Sequence, residues 1–136
     1  MDSIKFTLRT QAKEEFIDIT DHIRGIVREK RFHSGICTVF IPHTTAGVTI
    51  NENADPDVVR DILYQLDKVI PQQNNYHHGE GNSAAHIKAL ICGPSLQLIV
   101  ESGRLVLGTW QGVFFCEYDG PRTRSVLVKL IGDSDL

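Results

Sequence analysis

The 136-residue chain has three cysteines, one tryptophan and one methionine, and no apolar run that approaches the roughly 20 residues needed to cross a bilayer as a helix. Cys37, Cys92 and Cys116 are odd in number, widely spaced and without a C-x-x-C pair. That pattern excludes a disulfide scaffold and a zinc ribbon, and reads as reduced core thiols in the cytoplasm. The first thirty residues carry Lys5, Arg9, Lys13, Glu14 and Glu15 and no apolar core, so neither a signal peptide nor a membrane anchor is expected. Charge of one sign is also missing. Fourteen Lys+Arg against 17 Asp+Glu leave a net charge of −3, which argues against duplex nucleic acid as a partner, because that binding needs clustered cations. Neither G-x-G-x-x-G nor G-x-x-x-x-G-K-[ST] occurs, and this removes two nucleotide cradles.

What remains is an ordinary globular composition, 41% apolar and 23% charged, so disorder is not the expected state. A chain of this length buries roughly two thirds of its unfolded surface, so it forms one domain, residues 1–136, without a structural metal. Any metal would serve function.

Alternation of Ile4, Phe6 and Leu8, and again over residues 16–19, predicts two strands joined at Thr10 to Lys13 as a hairpin. Thr20 is placed to cap a helix whose Ile23, Ile26 and Val27 point inward, with Arg24, Arg28, Lys30 and Arg31 as a solvated face. Ile36 to Ile41 and Val48 to Glu52 read as strands flanking a turn that carries His43. Asp55-Pro56 starts a helix with an apolar face from Val58 to Ile70, stopped by Pro71. Residues 72–81 form a polar loop, and Asn82 caps a short helix from Ser83 to about Ile91. Four further strands follow: Leu96 to Val100, Leu105 to Leu107, Val113 to Tyr118 and Arg124 to Ile131. About eight strands and three helices in this order predict an α+β fold with largely antiparallel pairing.

The chemistry-bearing side chains cluster. His43, Asn51, Glu52, Asn53 and Asp55 follow one strand pair, while His77, His78, Glu80, Asn82, Ser83 and His86 fill one loop-to-helix junction. Helical spacing puts Asn82, Ser83 and His86 over the same first turn. Three imidazoles and a water make a catalytic zinc site, and His43, His78 and His86 are the candidates, although their spacing is not that of H-E-x-x-H. The free N–H groups at Asn82 to Ala84 offer an anion site instead, and the two readings are compatible. Glu117, Asp119, Arg122 and Arg124 bring carboxylates and guanidiniums together, and their types alone favour ion pairing at a rim over a ligand site. Trp110, between glycines in LVLGTWQG, reads as a core residue ahead of a stacking platform, and Cys116 as a buried inert thiol.

The stretches HTTAGVTINENADPDVVRDI (43–62), YHHGEGNSAAHIKA (76–89) and GTWQGVFFCEYDGPRTR (108–124) resemble the YjbQ-like family, and the resemblance covers nearly the whole chain. It implies a compact α+β homotrimer with weak secondary thiamine-phosphate synthase activity. By motif it implies site residues His43, Asn51, Glu52, Asp55, His78, Glu80, Asn82 and His86, with His77 in a variable position. Ser83, Glu117, Asp119, Arg122 and Arg124 belong to the matching stretches and bind ligand in this reading. The resulting expectation is a divalent metal ion, zinc first and magnesium second, held by His43, His78 and His86. Glu80 or Glu52 would be general acid/base, acting on a small phosphorylated molecule. The alternatives are a non-catalytic trimeric module binding a metal or a small phosphorylated ligand, and a structural oligomer.

Overall fold

A computed structural model of the chain describes residues 2–136. In chain order the elements are β1 (Ile4–Arg9), β2 (Glu15–Asp18), α1 (Thr20–Glu29), β3 (Gly35–Phe40), β4 (Ala46–Glu52), α2 (Pro56–Val69), α3 (Ser83–Cys92), β5 (Ser95–Glu101), β6 (Arg104–Leu105), β7 (Gln111–Glu117) and β8 (Thr123–Gly132). A short 3₁₀ turn, Asp133–Asp135, follows. The strands form a five-stranded sheet, β1-β8-β3-β5-β6, and a three-stranded sheet, β2-β7-β4. All pairing is antiparallel, which makes the fold α+β, as the order of elements predicted.

The three-stranded sheet is a middle layer. Val113 and Phe115 on one face of β7 join the main core with Ile23 and Val27 of α1, Cys37 and Val39 of β3, and Val126 and Val128 of β8. Phe114, Cys116 and Tyr118 on the other face pack against Ala85 and Ala89 of α3 and half-buried Val59 and Leu66 of α2. Both faces being covered is why Val113 to Tyr118 reads as a run without polar alternation. Each such side chain, fully buried, contributes about 1.5–3 kcal/mol. Helix α2 is only lightly covered. Asp55 caps it as expected, accepting from the Asp57 N–H at 2.9 Å, yet none of its residues is fully buried.

Three local expectations are corrected. β1 and β2 do not form a hairpin, because β1 pairs with β8 and β2 with β7, in different sheets. Thr10, between them, is tied to the far end of the chain, its N–H donating to the Arg122 carbonyl at 2.9 Å. Thr20 does not cap α1. Asp18 Oδ1 accepts from the Thr20 N–H at 2.9 Å and from its hydroxyl at 2.5 Å, which leaves the Thr20 hydroxyl oxygen to accept from the Val113 N–H at 2.9 Å. Asn82 sits at the amino end of α3 but makes no side-chain cap bond.

The crossing from β7 to β8 passes through Gly120, and no side chain fits there. A Cβ at Gly120 would lie 2.3 Å from the Ala12 carbonyl oxygen and 2.8 Å from the Thr10 hydroxyl. At Gly79 a Cβ would meet nothing within 4 Å. Gly120→Ala is therefore expected to lower stability by about 1–3 kcal/mol while Gly79→Ala stays near neutral. Urea unfolding of both variants checks this, and equal midpoints would contradict it.

Candidate functional site

At the end of β7 a charged pair is sealed inside the protein. Glu117 and Arg124 are 0% and 2% exposed, and Arg124 Nε donates to both carboxylate oxygens at 2.9 and 3.1 Å. The terminal nitrogen of the guanidinium also donates to Glu117, and to the Thr45 hydroxyl at 2.8 Å and its carbonyl at 3.2 Å. Glu117 accepts further from the Thr10 hydroxyl at 2.8 Å and the Asp119 N–H at 3.1 Å. Burial alone would push the Glu117 carboxyl up. The donors from Arg124, Thr10 and Asp119 outweigh it and hold the group below the usual carboxylate range. This is a buried pair and not the rim pairing its residue types suggested. The rim pair is Arg122 with Asp119, at 3.2 Å and half-exposed on the arginine side.

His43 stands beside this pair, on the turn between β3 and β4. Its Nε2 accepts from the Ser125 backbone N–H at 2.8 Å. An imidazole nitrogen that accepts carries a free lone pair, so neutral His43 bears its proton on Nδ1. Burial and then the neighbouring Arg124 guanidinium lower its pKa from the ordinary 6.5. Together with Thr44, Thr45, Arg122 and Arg124 it lines a cavity of about 540 Å³.

The second cluster lies around the amino end of α3. The His78 and His86 rings are 5.5 Å apart and nearly perpendicular, and with Tyr76, His77 and Ser83 they line a cavity of about 480 Å³. Glu80 Oε1 is 4.0 Å from His78 Nε2, on the exposed loop. Asn82 Nδ2 donates to Asp119 Oδ2 at 2.8 Å, while its Oδ1 is buried without a hydrogen-bond partner. Asp119 also accepts from Arg122 and lies 3.6 Å from Lys13 Nζ, so it links the two cavities.

The third predicted cluster is elsewhere. In β4, Ala46 opposes Glu117 whereas Glu52 opposes Gln111, so Asn51, Glu52 and Asp55 sit at the other end of the strand, roughly 20 Å from His43 at about 3.3 Å per residue. Asn51 Oδ1 accepts from the Glu52 N–H at 2.7 Å, and Asp55 acts as the α2 cap. Trp110, expected in the core, is 62% exposed at this end. The close approach its glycines allow is made by Asn53, whose Nδ2 would lie 2.3 Å from a Cβ at Gly112.

Within one chain the three imidazoles do not converge. His78 and His86 share a cavity that His43 does not line. Among the described residues no group of three His, Cys, Asp or Glu side chains is placed to hold a metal ion. The His43 tautomer gives the physical reason on its side. With Nε2 accepting from Ser125 and Nδ1 protonated, no lone pair is left for a cation. His43, His78 and His86 of one chain therefore do not fit a three-imidazole site.

Sequence reasoning passed over Thr10 and Thr45, whose roles depend on contacts more than 70 residues away in the chain. It also passed over Lys88, whose side chain is fully buried and donates to Glu14 and Asp67, each at 2.5 Å. One sign of the latter was available: a lone lysine within the otherwise apolar stretch IKALIC.

The geometry can be set beside known proteins. A family model described as "UPF0047 protein YjbQ-like" matches residues 4–133. The chain is 50% identical over 129 residues to UPF0047 protein MJ1081 of Methanocaldococcus jannaschii, covering 95% of this chain and 94% of that one. It is also 50% identical over 126 residues to UPF0047 protein YugU of Bacillus subtilis, covering 92% and 96%. Among solved structures, an uncharacterized conserved protein of the YjbQ/UPF0047 family from Clostridium acetobutylicum superposes with a TM-score of 0.93 at 57% identity, covering 94% and 99%. A YbjQ-like protein of unknown function from Sulfolobus solfataricus gives 0.92 at 32% identity, covering 97% of both chains.

Removing one member of the buried pair leaves its partner charged and uncompensated. Glu117→Ala is therefore expected to cost about 3–5 kcal/mol in denaturant unfolding, and Glu117→Leu combined with Arg124→Met less than that single change. A double variant weaker than the single would refute the account. His43 gives a pH signature. Because its folded pKa lies below 6.5, the unfolded chain takes up protons first, so its contribution is complete above about pH 6.5 and is lost as pH falls toward the folded value. In His43→Gln, whose amide oxygen can accept from the Ser125 N–H, unfolding free energy should vary less with pH below 6.5 than in the wild type; parallel pH profiles would contradict this.

Proposed function

Because the chain belongs to the UPF0047 protein YjbQ-like family, we propose that it binds a small phosphorylated molecule in the His43 cavity and has weak thiamine-phosphate synthase activity. The observation that carries this reading is the His43 Nδ1–H, fixed by the Ser125 N–H, sharing a cavity with the half-exposed Arg122 guanidinium. Both groups donate, and both suit phosphate oxygens. Arg124 is committed to Glu117 and Thr45, so it supplies a rigid wall and leaves the half-exposed Arg122, bonded to Asp119, as the cation open to a ligand.

The reaction joins a pyrimidine methyl diphosphate to a thiazole phosphate. The bond from the methylene carbon to the diphosphate oxygen breaks, and its electron pair leaves on the diphosphate. The thiazole nitrogen lone pair forms the new C–N bond, and the ring becomes a thiazolium without loss of a proton. Charge grows on the leaving diphosphate, where fixed donors such as the His43 N–H and Arg122 stabilise it most.

A second reading rests on the 5.5 Å contact of His78 with His86 and on nearby Glu80. The two imidazoles are half of a four-coordinate zinc site, with Glu80 available as an acid/base, and a further donor from another copy would be needed to complete it. The homotrimer implied by the family resemblance would supply such a donor and repeat the site three times. Support comes from apolar surface left open: Phe40 and Ile99 on the outer face of the five-stranded sheet, Leu90 and Ile91 on α3, and Val69 on α2. The free thiols Cys37, Cys92 and Cys116 support a cytoplasmic setting.

Turnover of the pyrimidine diphosphate with the thiazole phosphate tests the first reading. Arg122→Gln and His43→Ala should each lower the rate by roughly 10²-fold, in line with loss of one fixed donor. Wild-type rates in both would remove the assignment. If His86→Ala alone abolishes turnover, and bound metal with it, the site belongs to the His78–His86 pair.

A further inference from the structure

A third cavity lies away from every predicted site residue. It measures about 600 Å³ and is walled by Arg24, Arg28, Arg31, Phe32 and His33 from the end of α1 and by Arg104 at the start of β6. The sequence pattern read the helix arginines as a solvated face. In the fold, three of them and Arg104 surround one concavity, which places four of the chain's 14 cationic side chains around one hollow in a protein of net charge −3. Only Arg24 has an acidic partner, exposed Asp21 at 3.3 Å; among the described residues no carboxylate pairs with Arg28, Arg31 or Arg104. Four neighbouring guanidiniums repel one another unless a counter-charge enters.

The backbone supplies an independent sign. α1 ends in a Schellman motif: the Phe32 N–H donates to the Val27 carbonyl at 3.1 Å and the Arg31 N–H to the Arg28 carbonyl at 3.1 Å. The residue after the helix cap in this motif is left-handed and usually glycine, because a Cβ is strained there. Here it is Arg31, with φ 52°. Strain kept at a charged residue that lines a cavity is typical of a functional position. The same motif bonds last-turn carbonyls that would otherwise repel an anion, and the remaining half-charge of the helix end is small beside four guanidiniums. The opposite wall is also anchored: the Gly103 N–H donates to the His33 carbonyl at 2.8 Å, holding the turn that leads into Arg104.

We propose that this cavity is a second anion site, which takes a small organic molecule carrying two or three linked phosphates. The reading does not depend on the one given above for His43. The volume falls within the range of about 300–1,000 Å³ used for small ligands. Four guanidiniums match the three or more negative charges of a di- or triphosphate group, and forked donors hold such groups bidentately. Phe32 and His33 offer flat surfaces to an organic portion. A nucleic-acid strand is disfavoured because the cationic surface is a bounded hollow in a net acidic protein.

Calorimetric titration with inorganic pyrophosphate at low salt tests this, using the full chain in an Arg122→Gln background so that the His43 cavity does not contribute. Pyrophosphate should bind there, and adding Arg28→Gln with Arg31→Gln should weaken it at least tenfold. Arg31→Gly gives a readout separate from folding: it relieves the left-handed strain, so the melting temperature should hold or rise while pyrophosphate affinity falls. Binding that is absent in the Arg122→Gln protein, or unchanged by the arginine changes, would overturn the proposal. So would displacement of pyrophosphate by a single-stranded oligonucleotide at equal phosphate concentration.

Discussion

The Glu117–Arg124 pair is the constraint around which the rest is arranged. Two charges withdrawn from water are tolerated only when each is matched and every remaining donor and acceptor is used. Meeting that demand draws together Thr10 from the first crossing between sheets, Thr45 from the β3–β4 turn, and Asp119 from the β7–β8 crossing. Glu117 closes the middle sheet and Arg124 opens the outer one, so their bonds set the two sheets relative to each other. A hydrophobic contact would tolerate sliding. A buried carboxylate and guanidinium joined by several bonds do not, because a shift of one residue would leave a charge unpaired.

The candidate chemistry inherits this arrangement. Ser125 follows Arg124, so the bond that orients His43 issues from the residue next to the buried cation. Arg122 lies two residues before it, outside the seal, where its guanidinium is half-exposed and reaches Asp119. Asp119 in turn holds Asn82 at the amino end of α3. A chain of hydrogen bonds therefore runs from the core pair through Asp119 to Arg122, which lines the His43 cavity, and to Asn82, next to Ser83 of the other cavity. The α1 cavity stands apart from this chain and is held by a helix-end motif and a hairpin turn, which is why the two regions can be perturbed separately.

Periodicity was informative wherever one element met one environment. β3, β5 and β8 alternate cleanly, and the Asp55-Pro56 start of α2 is realised by a side-chain cap. It misled where a short segment served two partners. β1 and β2 alternate like the arms of a hairpin, yet each finds more apolar surface on a strand more than 90 residues away in sequence than on the other. Trp110 lies in glycine-rich sequence that allows close packing, and Asn53 occupies the space. Clustering along the sequence likewise joined His43 to Asn51, Glu52 and Asp55, although an extended strand carries them to opposite ends of the sheet.

The sequence by itself determined the α+β class, the antiparallel strands, the helix starts, the residue types available for binding, and, through long motifs, the family. These follow from local preference and from patterns of burial that each segment carries within it. Only the tertiary structure decided which charges are sealed and which are free: Glu117 and Arg124 paired in the core, Arg122 at a cavity mouth, Lys88 buried, and Arg24, Arg28, Arg31 and Arg104 around one hollow. The physical reason is that the state of a charged side chain depends on desolvation and on partners, and here those partners are brought from distant parts of the chain by the crossings between sheets and by the β5–β6 turn.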